Sequence, residues 1–473
     1  MLQKGLQGNN DNSYYRDSLV RAFRPFPYRE KIAVQAHLNI LYHQYIFGTL
    51  EKLRQVVSRY GSGFLNSHGA FYVMSPARIE RSLELWNTHL PSVTPYYAVK
   101  CNPDPQILHY LWGKGIGFDC ASEREIRSIH SLGRGPIQDD TRIVYANPCK
   151  SEGSIKYAKE VGSPLTVVDS VEEVEKLAGY KGGALIRIAV DDTDSTMPFS
   201  SKFGARGSAT SHIIAAAAAN CLPIHGISFH VGSGCLSGRA YSRAIRAAYG
   251  QLITIGGAAN IIDIGGGYLA DETDFKEKAE HIRNEMIQVN MDSIERPRGI
   301  EWIAEPGRFF ASNSFDFFVR VIGKKRGGGG GSGSGSGWAY TIDDSLYGQF
   351  SNILFDHATP RWIRVAEARE KPRKQVHGSL FGRTCDSVDV IAKAESMEEL
   401  EVGDWLWFPA MGAYTRATAS EFNGFPRPEV FIDDLPLDTT LLPYIHAAPK
   451  GVSYVPPVSA ASLWAQPAEP AYV

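Results

Sequence analysis

Lys100 closes the apolar part of the stretch ProTyrTyrAlaValLysCysAsnPro at 95–103. The residues before it are apolar on both sides of the pleat, which predicts a parallel strand buried on both faces. A lysine at the end of such a strand is costly unless it has work to do. In a desolvated site an amine loses its proton and forms a Schiff base with an aldehyde. Five more motifs follow in order: GlyPheAspCysAlaSer at 117–122, HisValGlySerGlyCys at 230–235, AspIleGlyGlyGly at 263–267, GluProGlyArg at 305–308 and ThrCysAspSer at 384–387. Glycines such as Gly265, Gly266 and Gly267 let backbone N–H groups turn around an oxyanion. Each motif alone has a commoner structural reading: a solvated strand-end lysine, a glycine-rich loop, a core histidine or an inert buried cysteine. The ordered set is what is specific.

These side chains need a scaffold that collects strand ends. GlyAlaPheTyrValMet at 69–74 reads as a first strand, and Pro76 marks the first turn of the next helix. From there to about 313, eight strand-like segments alternate with amphipathic stretches such as GluArgGluIleArgSerIleHisSerLeu. This predicts an α/β fold, a (β/α)8 barrel with its chemistry at the C-terminal ends of the strands. After 314 the pattern turns alternating and β-branched or aromatic, which predicts a mainly antiparallel β domain over 314–435. Residues 1–35 read as a disordered arm and 36–75 as a helix (37–60) and strand joining the β domain. The barrel takes 76–313, and 436–473 reads as a tail. A glycine-serine segment at 327–337 reads as a flexible loop between two strands.

The chain has 473 residues, enough for two domains with ample core. Lysine plus arginine is 49 and aspartate plus glutamate is 51, which argues against nucleic-acid or membrane-surface binding driven by charge. The six cysteines are scattered without metal-type spacing, so they read as reduced thiols, and no metal is expected. No secretory signal or membrane-spanning run stands out, so a cytoplasmic address is expected.

The ordered motifs resemble those of the fold-type III pyridoxal-phosphate decarboxylases, most closely the eukaryotic ornithine decarboxylases, from about Gly69 to about Pro428. The resemblance implies an alanine-racemase-like barrel followed by a β-sandwich, with pyridoxal 5'-phosphate as cofactor. It implies that Lys100 holds the cofactor aldehyde and that Gly265, Gly266, Gly267, Ser233, Arg308 and Tyr414 hold its phosphate. Glu305 would pair with the ring nitrogen and His230 would stack on the ring, with Asp119, Glu125 and Arg187 as polar support. Asp356 and Asp386 would bind the distal amine of the substrate, with Phe422 beside them. Cys385 would return a proton to Cα after carbon dioxide leaves. In this family Cys385, Asp386 and Phe422 reach across a two-fold interface, so the resemblance implies a homodimer with shared sites. An antizyme-like partner is a further possibility of the family.

Four departures stand out. GlyArgThrCysAspSer replaces the usual Gly-Pro-Thr-Cys-Asp-Gly, and ProAlaMet replaces Glu-Asn-Met before GlyAlaTyr. Phe355 stands for a tyrosine, and ProPheSerSer precedes Lys202 where a valine is usual. Arg383 and Ser387 flank the segment with Asp386, so they bear on the substrate more than on the reaction. The first reading is ornithine decarboxylation to putrescine. The alternatives are another basic or N-substituted diamino acid, as in loline-type alkaloid pathways, and an inactive regulator like the antizyme inhibitors. Intact Lys100, Glu305, Arg308, Cys385 and Asp386 speak against the last.

Overall fold

The structure is a computed structural model, and it describes residues 69–133, 142–162, 165–256, 259–293, 299–326, 337–365 and 373–433. The expected arm at 1–35, the helix at 37–60, the tail at 436–473 and all but Gly337 of the glycine-serine segment lie outside the described residues. The strands in chain order are β1 (Phe71–Met74), β2 (Val93–Ala98), β3 (Gly117–Cys120), β4 (Ile143–Tyr145), β5 (Leu165–Val168), β6 (Gly183–Arg187), β7 (Ser195–Met197), β8 (Ile224–Ser228), β9 (Ser233–Cys235), β10 (Ile261–Asp263) and β11 (Glu301–Ala304). Eight of these close a parallel barrel in the order β10-β11-β2-β3-β4-β5-β6-β8. Their near-continuous apolar runs are what a strand buried on both faces requires.

Helix starts are written in local chemistry. Ser122, Ser151 and Ser170 accept the backbone N–H three residues on, at 3.3, 3.3 and 3.2 Å, and Asp271 does the same at 2.8 Å. Pro76 and Pro105 occupy first turns, where a missing N–H costs nothing. These caps fix where each helix leaves the loop that carries site residues.

Past the barrel come β12 (Phe315–Arg326), β13 (Trp338–Ile342), β14 (Ile363–Arg364), β15 (Gln375–Phe381), β16 (Val390–Glu398), β17 (Trp405–Phe408) and β18 (Glu429–Ile432). With β1 they form one eight-stranded sheet. It is mainly antiparallel; β1–β18 and β13–β15 are the parallel pairs. β12 is the spine. Its first half lies between β1 and β17, and its second half, past a register shift between Val321 and Gly323, pairs with β13. A core of Trp86, Tyr268, Phe275, Phe309 and Phe310 packs beneath the junction, with ring centroids 4.3–6.2 Å apart. Among the described residues no helix is long and apolar enough to cross a membrane.

Candidate active site

The chain leaves β2 in a single 3-10 turn, Val99–Cys101, so Lys100 lies just past the strand rather than on it. Asp119 stands on the neighbouring strand, where β2 and β3 pair Ala98 with Asp119. Its fully buried carboxylate forms an ion pair with the Lys100 ammonium. Burial works against the charge on Lys100, but Asp119 and Glu305 outweigh it and raise its pKa above the ordinary lysine value. This differs from the expectation of an amine that sheds its proton on desolvation: the facing carboxylates hold it charged. The next residue, Cys101, is pushed up to about 12 by burial and is inert as a nucleophile.

Asp263 ends β10 and Glu305 follows β11, on adjacent strands. Burial pushes the Asp263 carboxyl up to about 7. Burial, Asp263 and Asp119 together raise Glu305 well above the usual carboxylate range. Two buried carboxyls on adjacent strands disfavour each other's charge. A cation facing Glu305 is what would let it ionise. Asp263 also accepts the Gly265 N–H at 2.9 Å, and one oxygen each of Asp119 and Asp263 is buried without a hydrogen bond among the described residues. Sequence reading assigned Asp263 no role, although it opens the quoted AspIleGlyGlyGly motif.

The glycine run packs against the loop carrying His230. A Cβ on Gly265 would lie 2.2 Å from the Phe229 carbonyl oxygen. One on Gly266 would lie 2.9 Å from His230 Nε2, and one on Gly267 2.6 Å from the Gly232 carbonyl oxygen. Only glycine fits, and Gly265 and Gly267 have φ of +66° and +101°. Gly232 N–H donates to His230 Nδ1 at 2.9 Å, which leaves the ring proton on Nε2. Burial, Arg187 and Lys100 push His230 far below its ordinary value, so the imidazole is neutral.

Arg308 donates to both oxygens of Asp356, at 2.7 and 2.6 Å, and to Ser233 Oγ at 3.1 Å. Its guanidinium lies 5.0 Å from the Tyr414 ring centroid. Tyr414 is held at φ +55°, a strained value for a non-glycine residue, by its N–H bond to the Cys101 carbonyl at 2.9 Å. Two residues expected to serve different ligands, Arg308 for phosphate and Asp356 for the distal amine, therefore face each other. Glu125 is anchored by accepting the Ala121 N–H at 2.6 Å, and burial raises its pKa.

The other expected residues form a second, separate group. Cys385 and Phe422 are exposed, as is Phe355 beside Asp356. Asp386 accepts from Tyr347 Oη at 2.5 Å, and the Tyr347 ring stacks on Phe422 at 4.2 Å. The Cys385 N–H donates to Asn423 Oδ1 at 3.2 Å. Buried Asp389 ties the loop down: its carboxylate accepts the N–H groups of Leu346 at 2.8 Å and Thr384 at 3.0 Å. Tyr347 was not singled out from sequence; no motif marks it. Arg383 packs on Phe425. Its guanidinium lies 4.1 Å from the Phe425 ring centroid and lowers the pKa values of buried Asp343 and Asp344.

The donor set fits pyridoxal phosphate. Arginine, serine and the amides of Gly266 and Gly267 suit a phosphate, a lysine among carboxylates suits an aldehyde, and a glutamate with a neutral histidine suits a pyridine ring. Residues 76–312 match the family described as pyridoxal-dependent decarboxylase, pyridoxal binding domain. The chain is 35% identical to a probable ornithine decarboxylase of Dictyostelium discoideum over 376 residues, 76% of this chain and 79% of that protein. It is 37% identical to the mouse ornithine decarboxylase over 376 residues, 76% and 80% of the two chains. Among solved structures, the arginine decarboxylase of Paramecium bursaria Chlorella virus superposes with a TM-score of 0.72 at 32% identity, covering 81% of this chain and all of that one. The lysine/ornithine decarboxylase of Vibrio vulnificus, complexed with cadaverine, gives 0.68 at 27% identity over 81% and 96%. The chain is a pyridoxal-phosphate-dependent carboxy-lyase and belongs to the eukaryotic ornithine decarboxylase family of fold-type III decarboxylases.

Proposed function

We propose that the chain converts L-ornithine to putrescine and carbon dioxide. The observation that carries this reading is the convergence of Lys100, Asp119, His230, the glycine run, Glu305 and Arg308 at the C-terminal ends of the barrel strands. Pyridoxal phosphate supplies an electrophilic aldehyde for the substrate amine and a ring that accepts the electrons of the broken Cα–carboxylate bond. Lys100 holds the aldehyde and carries protons at Nζ. Arg308, Ser233, Tyr414 and the N–H groups of Gly266 and Gly267 hold the phosphate. Glu305 would pair with the ring nitrogen, supported by Asp263, and His230 would lie against the ring as a neutral imidazole. The Cys385 thiol gives a proton to Cα after carbon dioxide leaves, which fixes the product as an amine.

Asp356 and Asp386 read the distal ammonium. Asp386 lies on an exposed loop, so the site is completed by a second copy of the chain, in a homodimer with shared sites. Leu354, Phe355, Val388 and Phe422, all 41–60% exposed, supply apolar surface around those loops. We place the enzyme in the cytoplasm. Ornithine is favoured over other diamino acids because the curated relatives at 35% and 37% identity are ornithine decarboxylases.

The test is carbon dioxide release from ornithine, lysine, arginine and N-alkylated diamino acids in parallel. Ornithine should give the highest kcat/KM. Turnover of an N-substituted diamino acid alone would move the protein to a specialised pathway. Lys100→Ala should lose both the visible cofactor band and the activity; an unchanged band would remove the lysine assignment.

A further inference from the structure

We propose that Tyr241 is a positioning residue that sets the phosphate-binding orientation of the glycine run. Three consecutive glycines leave the peptide planes of 265–267 with little intrinsic preference. Something outside the run must decide which way each carbonyl points, and therefore which way the following N–H points. The Gly265 carbonyl accepts Glu305 N–H at 2.8 Å, and the Gly267 carbonyl accepts Cys235 N–H at 3.2 Å. The Gly266 carbonyl has no such backbone donor among the described residues. It is held by one side chain, the Tyr241 hydroxyl, which donates to it at 2.9 Å. The peptide bond is planar, so fixing the Gly266 carbonyl on one side fixes the Gly267 N–H on the other.

Tyr241 suits this task. It stands in the first turn of helix Gly238–Ile255, just past the loop that carries His230 and Ser233, and is fully buried. Burial raises its pKa well above the ordinary tyrosine value, so it is a permanent donor. Its ring stacks on Tyr268 at 5.1 Å, which leaves the hydroxyl little freedom. The Tyr268 hydroxyl, also buried, makes no hydrogen bond among the described residues. The aromatic stack thus holds one hydroxyl that acts on the glycine run and one that does not, which provides an internal control.

The inference rests on the glycine run binding the cofactor phosphate, and the experiment separates the two claims. Apoenzyme is titrated with pyridoxal phosphate and with pyridoxal, which lacks the phosphate, following tryptophan fluorescence. Wild type should bind pyridoxal phosphate far more tightly. Tyr241→Phe keeps the ring and its stack. It should weaken pyridoxal phosphate by about 5- to 10-fold, as loss of one buried hydrogen bond allows, and pyridoxal less than about 2-fold. The kcat at saturating cofactor should be unchanged, and Tyr268→Phe should match wild type in both titrations. Equal weakening of both ligands by Tyr241→Phe overturns the proposal, because a general packing defect does not distinguish them. So does unchanged affinity for pyridoxal phosphate. A wild type that fails to discriminate the two ligands removes the phosphate reading and the proposal with it.

Discussion

Arg383 shows how far one residue's neighbours decide its meaning. In sequence it sits three positions from Asp386 and reads as a modifier of substrate choice. In the fold it covers Phe425 and offsets two buried carboxyls, Asp343 and Asp344, which burial pushes up to about 6 and about 7. Their folded pKa values lie above the unfolded carboxylate value. The folded chain therefore holds protons that the unfolded chain releases. Their contribution to stability is full below the unfolded pKa and is lost as pH rises through 6 and 7. Arg383 lowers both values and limits that loss. Arg383→Ala should therefore destabilise the chain by about 1–2 kcal/mol at pH 8 and by less at pH 5, with the ranking of amino-acid substrates unchanged. Thermal melts at the two pH values check this; a pH-independent loss or a switched substrate would count against it. The same contrast marks what was legible from residues alone. Lys100, His230, Glu305 and Arg308 stand in motifs whose residue types announce their chemistry. Tyr241 and Tyr347 act through single long-range hydrogen bonds, and Asp263 acts through Glu305 on the adjacent strand; no spacing in the sequence encodes those.

At the scale of elements, all eight barrel strands were readable because burial on both faces writes a continuous apolar run. The strap formed by β7 and β9 was not. Each strand has only three residues, too few for a period. The strap nonetheless matters to the site, since it ties residues 195–197 to the loop bearing His230 and Ser233. Thr196 Oγ1 donates to the Gly234 carbonyl at 3.2 Å, and Ser195 Oγ bonds the Val231 carbonyl. Phe199, at the end of the strap, meets the His230 ring edge-on at 5.0 Å. Buried Asp192 holds it there by accepting the N–H groups of Phe199 at 2.5 Å and Ser200 at 2.7 Å. Asp192→Ala should strand two amides at a cost of about 1–3 kcal/mol, felt mainly as local opening. Hydrogen exchange should speed up at Phe199 and Ser200 while the barrel strands keep their protection. Uniform acceleration across the barrel would mean that Asp192 supports the whole fold instead.

At the scale of the whole molecule, the candidate residues fall into two groups with no described bond between them. One lies in the barrel mouth around Lys100 and Arg308; the other, with Cys385, Asp386 and Phe422, lies on an exposed loop of the β domain. The loop is not loosely built. Asp389, Tyr347 and Asn423 fix its backbone and its carboxylate. A preorganised but exposed thiol and carboxylate make sense if they serve the barrel mouth of a second copy. In that arrangement Lys100→Ala and Cys385→Ala disable the same site from opposite subunits. Each variant alone should be nearly inactive. Mixed and allowed to exchange, half of the dimers become heterodimers, and each heterodimer holds one site with both residues intact. Recovery should therefore approach about a quarter of wild-type activity at equal mixing. It should depend on subunit exchange and vanish when the two variants are cross-linked as homodimers before mixing. If exchange is complete by mass and no activity returns, Lys100 and Cys385 work within one chain. The β-domain loop would then have to close over its own barrel.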